Sequence, residues 1–132
     1  MISTTSQTPA YRTHFNSCEA EAVADAPIDK GGSGSGFGPH ELLEAALATC
    51  INMAVRMAAT TEKMALEGVA TSVRLDRSRI DTVSFEYTLD ITGSLSDVDR
   101  ARLFEAANAC PIRQTLGKKM EFIALQGAPG AR

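Results

Sequence analysis

Between Pro39 and Ala58 the chain places Leu43, Ala46, Leu47, Cys50, Met53, Ala54, Met57 and Ala58 at spacings of three and four. That recurrence lines them along one face of an α-helix. Pro39 suits the first helical turn, where its missing N–H does no harm. Glu41 and Glu44 stand near the positive end of the helix dipole. Ala45, Ala48 and Ala59 carry small apolar surface beyond the stripe, so the helix is expected to be buried on more than one side. One small sheet cannot cover that much surface, and the helix is expected at the centre of a homodimer.

The rest of the chain has to supply what packs on this helix. Its 132 residues suit a single domain over 1–132, with a small core. Aromatics are only 5% and Trp is absent, so Leu, Ile, Val, Met and Ala must fill that core. A net charge of −3 argues against a nucleic-acid partner, which normally calls for a basic face. The apolar stretches are broken by Glu44, Asn52 and Arg56, short of the ~20 residues of a membrane span. The N-terminal residues Met1-Ile2-Ser3-Thr4-Thr5-Ser6-Gln7 lack the pattern of a signal peptide. A cytoplasmic location is expected, where the three cysteines stay reduced and are reactive or buried rather than a disulfide framework.

Residues 1–9 and 127–132 read as flexible ends. Tyr11 to Asp25 reads weakly as one or two strands, and the Gly/Ser-rich stretch 29–38 as a mobile loop inside the domain. Its glycine spacing follows no buried strand, so a dinucleotide fingerprint is rejected. Val69–Ser78 and Val83–Thr92 alternate as two strands of an antiparallel hairpin. Ser96 is a candidate N-cap with Asp99 three residues on, which opens a second helix. Pro111 interrupts that helix, a short turn follows over Ile112–Leu116, and Glu121–Leu125 reads as a final strand.

Two cysteines are the candidates for chemistry. Cys50 lies on the apolar stripe, where an isolated Cys more often packs as a small hydrophobe with a raised pKa. Cys110 precedes Pro111 and can cap the Ile112–Leu116 turn, whose free N–H groups favour a thiolate. Local physics therefore ranks Cys110 as the more reactive thiol, about level with a buried cap. Cys18 stands between acidic neighbours Glu19 and Glu21, which disfavour ionisation. His14 and His40 are isolated and there is no Cys-x-x-Cys, so a zinc site is not expected.

The run from Pro39-His40-Glu41-Leu42-Leu43-Glu44 to Ala48-Thr49-Cys50, followed about 60 residues later by Cys110-Pro111-Ile112-Arg113-Gln114-Thr115-Leu116, resembles the OsmC/Ohr family. The likeness covers about residues 11–126. It implies an α+β fold with an antiparallel sheet and a long central Cys-bearing helix, assembled as an intertwined homodimer with sites at the subunit interface. It also implies a thiol-dependent peroxidase acting on organic hydroperoxides or hydrogen peroxide. In that reading Cys50 attacks, Cys110 resolves, an external thiol or dithiol reduces the pair, and no cofactor or metal is needed. The family's peroxidases commonly place a Glu directly after the helix proline to hold an Arg against the attacking thiolate. Here His40 takes that place and Glu41 follows, about 100° further round the helix. Arg12 is the candidate cation, with Lys30 behind it.

Two other functions compete. A non-catalytic dimeric module could bind a small apolar ligand or a protein through the same interface, with Phe37, Met53 and Met57 lining it. A Cys–His hydrolase would need His14 or His40 at a thiol, yet His40 lies about 15 Å from Cys50 along one helix.

Overall fold

A computed structural model of the chain describes residues 1–125. Three short strands come first: β1 (Ser3–Ser6), β2 (Thr13–Asn16) and β3 (Glu21–Ala24). They form an antiparallel sheet in the order β1-β2-β3. A 3-10 turn at Ile28–Lys30 follows, then helix α1 (Pro39–Thr61). Next are β4 (Leu66–Asp76) and β5 (Ser84–Gly93), an antiparallel pair, and helices α2 (Asp97–Asn108) and α3 (Pro111–Leu116). The mixed architecture with antiparallel sheets and one long helix is the class expected.

The second sheet puts its alternating residues to work as expected. Val69 pairs with Ile91, Thr71 with Leu89, Val73 with Tyr87 and Leu75 with Phe85, so all eight point to one face. That face lies against α1. Among the described residues β4 pairs only with β5, so its other edge leaves backbone groups free. Two polar residues of α1 take them: Leu75 N–H donates to Glu44 Oε1 at 2.7 Å, and Asn52 Nδ2 donates to the Val69 carbonyl at 3.0 Å. Residues that interrupt the apolar run thus fasten the helix to the sheet.

Which face of α1 is buried differs from the sequence reading. The core row is Leu47, Ile51, Val55 and Ala59, joined by Ile91, Leu103, Ala107 and Cys110. Each fully buried aliphatic in this row contributes on the order of 1.5–3 kcal/mol. Ile51 and Val55, both β-branched, lie about 100° or more around the helix from Cys50 and define the side that meets β4 and α2. Leu43, Met53 and Met57 of the stripe read from the sequence are 43%, 57% and 65% exposed, and Ala46 is exposed as well. The helix therefore has two apolar faces, and its own chain covers one. By length and apolarity α1 could cross a membrane, but its buried row is the centre of this core.

Ser96 caps α2 as expected, accepting from Asp99 N–H at 3.1 Å, while Asp99 Oδ2 accepts from Ser96 N–H at 3.1 Å. The Gly/Ser-rich loop is more anchored than its composition suggests. Asp25 accepts from Ala26 N–H at 2.8 Å, from Ser33 N–H at 3.0 Å and from the Ser33 hydroxyl. The hydrogen bonds from Ser33 hold this carboxyl below the usual carboxylate range. Gly32 sits where a Cβ would collide with the Ala26 carbonyl, so the loop can fold back only with glycine there.

Two end segments also differ. Residues 3–6 form a strand although all four are polar and exposed, because β2 supplies a complete ladder. Glu121–Leu125 forms no strand and pairs with neither sheet among the described residues. Phe122, Ile123 and Leu125 are 95%, 75% and 87% exposed. The expected loose tail from residue 127 lies outside the described residues.

A candidate thiol site at the seam of the central helix

Pro111 positions the first thiol. The residue before a proline is pushed out of the helical region, and Cys110 is extended at φ −60°, ψ 139°. This breaks α2 from α3 and turns Cys110 into the N-cap of α3, its Sγ accepting from Arg113 N–H at 3.4 Å. The side chain is fully buried in the cluster of Leu47, Ile51, Leu103 and Ala107.

Cys50 packs against the same cluster from α1 but is only half-buried. It lies between the buried row and the exposed stripe, with Leu43, Ala46, Met53 and Met57 to its open side. The Cys50 thiol neighbours that of Cys110 and influences its titration. Both thiols are free, as is the exposed Cys18. One thiol is accessible, the other enclosed behind it.

Burial works against the reactive-thiol reading of Cys110. Burial pushes the Cys110 thiol up; the Arg113 N–H pulls it down only in part, and the neighbouring Cys50 adds to the rise. The cap is present but does not make a reactive thiolate. The linkage has a definite sign. A thiol raised in the folded state contributes stability fully present below its unfolded pKa, about 8.5, and lost as pH rises toward the folded value. Urea midpoints of the reduced protein are therefore expected to fall above about pH 8.5, and more steeply than those of Cys110→Ala. Parallel pH profiles for the two proteins would contradict it.

The proposed activating residues stand elsewhere in the single chain. Arg12 Nε donates to Gln7 Oε1 at 3.3 Å in the β1–β2 turn, and its charge acts on Asp25. Glu41 Oε2 accepts from Gly38 N–H at 2.7 Å and so caps its own helix. His40 and Glu41 line a cavity of about 770 Å³ with Asp25 and Ile28, and neither Cys50 nor Cys110 reaches it. Lys30 ends the 3-10 turn. Among the described residues no hydrogen bond or ion pair joins any of these four to Cys50. Cys18 sits in the β2–β3 turn, and His14 pairs with Glu21 at 3.1 Å on the same sheet, so His14 forms no Cys–His pair with Cys50 or Cys110.

A polar group of Tyr87, Asn108 and Arg113 also lies near the thiols. Tyr87 Oη donates to Asn108 Oδ1 at 2.7 Å, and Arg113 Nη1 donates to the Asn108 carbonyl at 2.8 Å. Only the position of Arg113 beside Cys110 hinted at it; Tyr87 was hidden in the strand alternation.

Residues 32–124 match the family model of OsmC-like protein, and the chain belongs to that family. Solved structures share the fold. A Psychrobacter arcticus protein named for osmotic stress induction and detoxification response is 24% identical, with 86% of this chain and 85% of that one covered at a TM-score of 0.74. An OsmC-like protein from Mycoplasma pneumoniae is 18% identical over 88% and 85%, with a TM-score of 0.73. An organic hydroperoxide resistance protein from Legionella pneumophila is 21% identical over 89% and 88%, with a TM-score of 0.63. No curated protein matches the chain.

Proposed function

We propose that this chain is a thiol-dependent peroxidase that works as a homodimer in the cytoplasm. The observation that carries the reading is the pairing of an accessible Cys50 with an enclosed Cys110 beside it. Organic hydroperoxide resistance proteins among its structural relatives point the same way. The Cys50 thiolate attacks the terminal peroxide oxygen, the O–O bond breaks, and an alkoxide leaves and takes up a proton. Cys50 becomes a sulfenic acid. Cys110 then displaces its hydroxyl as water and forms a disulfide, which an external dithiol reduces in two exchange steps. A buried resolving thiol suits this order, because it meets no oxidant before Cys50 does.

The dimer supplies what one chain lacks. Strands β1–β3 pack chiefly on one another and on the loop that holds Phe37, and little on the other strands and helices. Exposed Ile2, half-buried Phe15 and Leu42 line an apolar hollow of about 460 Å³ against this sheet. A second copy that covers this sheet and the Leu43–Met57 stripe would bring its own Arg12 turn within range of Cys50. Arg12→Ala is then expected to slow peroxide consumption strongly, since the thiolate is the attacking form and a neighbouring cation favours it. Circular dichroism and dimer mass should not change. An unaltered rate would remove Arg12 and direct attention to Lys30.

The absence of a cation on Cys50 within the described residues favours the second reading, a ligand- or protein-binding dimer. Wild type consuming peroxide no faster than free cysteine would decide for it.

A further inference from the structure

A separate cleft of about 260 Å³ opens between the start of β5 and α3. Leu47, Val83, Phe85 and Leu116 line it, with Tyr87 and Arg113 as its polar groups. Among the described residues Arg113 is its one charged lining residue. The guanidinium is held from one side. Nη1 donates to the Asn108 carbonyl at 2.8 Å and to Asn108 Oδ1 at 3.3 Å, and Tyr87 Oη donates to the same Oδ1 at 2.7 Å. Among the described residues no carboxylate pairs with Arg113; Glu44, on the turn before Leu47, accepts from Leu75 N–H instead. A purely structural role for this arginine, tying the end of α2, accounts for Nη1 only. Nε and Nη2 make no hydrogen bond to the described residues and form the edge of the planar fork that matches a carboxylate.

We propose that this cleft binds a small amphipathic carboxylic acid. The carboxylate lies on the open edge of Arg113 and the apolar body runs along Leu47, Phe85 and Leu116. Ligand sites of this kind are mostly apolar with a few placed polar groups, and the modest volume limits the ligand to a short or medium chain. A single cation suits a monoanion; a phosphate dianion would call for more positive charge. The site also adjoins the thiols. Leu47 is one turn before Cys50 on α1, and the Arg113 peptide N–H caps Cys110. An occupied cleft would thus steady both cysteine-bearing turns, but binding needs neither thiol.

The test uses non-peroxide probes on the reduced full chain and on Cys50→Ser, so its outcome is independent of peroxidase activity. Octanoate, 1-octanol and acetate are titrated by calorimetry, with amide shifts followed by NMR. Octanoate is expected to bind both proteins and to move the amides of Phe85, Tyr87 and Leu116, and acetate is expected not to bind. Arg113→Gln should weaken octanoate roughly tenfold or more, the value of a charge-assisted hydrogen bond, and leave 1-octanol unaffected. Val83→Asp, at an exposed wall position, should repel octanoate without disturbing the core. It stands in if Arg113→Gln fails to fold. No octanoate binding at millimolar concentration would overturn the site. So would shifts confined to another surface, or affinity unchanged by the folded variants.

Discussion

Cys50→Ser is expected to reduce peroxide consumption to the uncatalysed rate, because a hydroxyl cannot ionise near neutral pH and attacks peroxide oxygen poorly. The half-buried position limits the structural cost to less than the roughly 1–3 kcal/mol of a wholly buried, unsatisfied hydroxyl. Thermal melts should therefore stay close to wild type while activity disappears. Cys110→Ser is expected to behave differently. It should still consume one equivalent of peroxide per chain, then stall as a sulfenic acid that a dimedone probe traps. If the two variants lose activity in the same way, with no trapped intermediate in Cys110→Ser, the division of roles between the thiols is wrong.

The second large effect falls on assembly. Leu43, Ala46, Cys50, Met53 and Met57 alternate spacings of three and four, the repeat of a helix seam, and the chain leaves that seam open. Met57→Glu would set an uncompensated carboxylate in the seam of a dimer, at a cost of roughly 3 kcal/mol or more. That is about a hundredfold or more in dimer dissociation constant. Sedimentation at micromolar concentration should show wild type as a dimer and the variant shifted to monomer. The change lies on the exposed face, so helical content of the monomer is expected to persist. A wild type that sediments as a monomer would contradict the assembly.

Much of this was legible in the chain. Pro39, the three-four spacing, the alternation around Val73 and Tyr87, and the Ser96–Asp99 cap each specify local structure, and each appears where it was read. The buried face of α1 was not. Ile51 and Val55 are as apolar as the stripe beside them, and periodicity cannot say which of two apolar faces meets its own sheet. The enclosure of Cys110 was not legible for a related reason. The cap on Cys110 is local and readable, whereas the burial that outweighs it comes from Leu103 and Ala107 packing against α1. Asp25 was missed because its partner Ser33 lies across a glycine loop whose fold is set by that very contact. Glu121–Leu125 has strand character yet joins neither sheet of the described residues, and sequence alone cannot distinguish a paired segment from an unpaired one.

The central claim, that Cys50 and Cys110 form one redox pair, is tested most directly by mapping disulfides after a single equivalent of organic hydroperoxide. Alkylated, digested protein should yield a Cys50–Cys110 linked peptide as the main oxidised species, with Cys18 alkylated. A dithiol should restore the free peptides. Cys18 bonded to either thiol, or Cys50 and Cys110 both alkylated after the peroxide is consumed, would contradict the account.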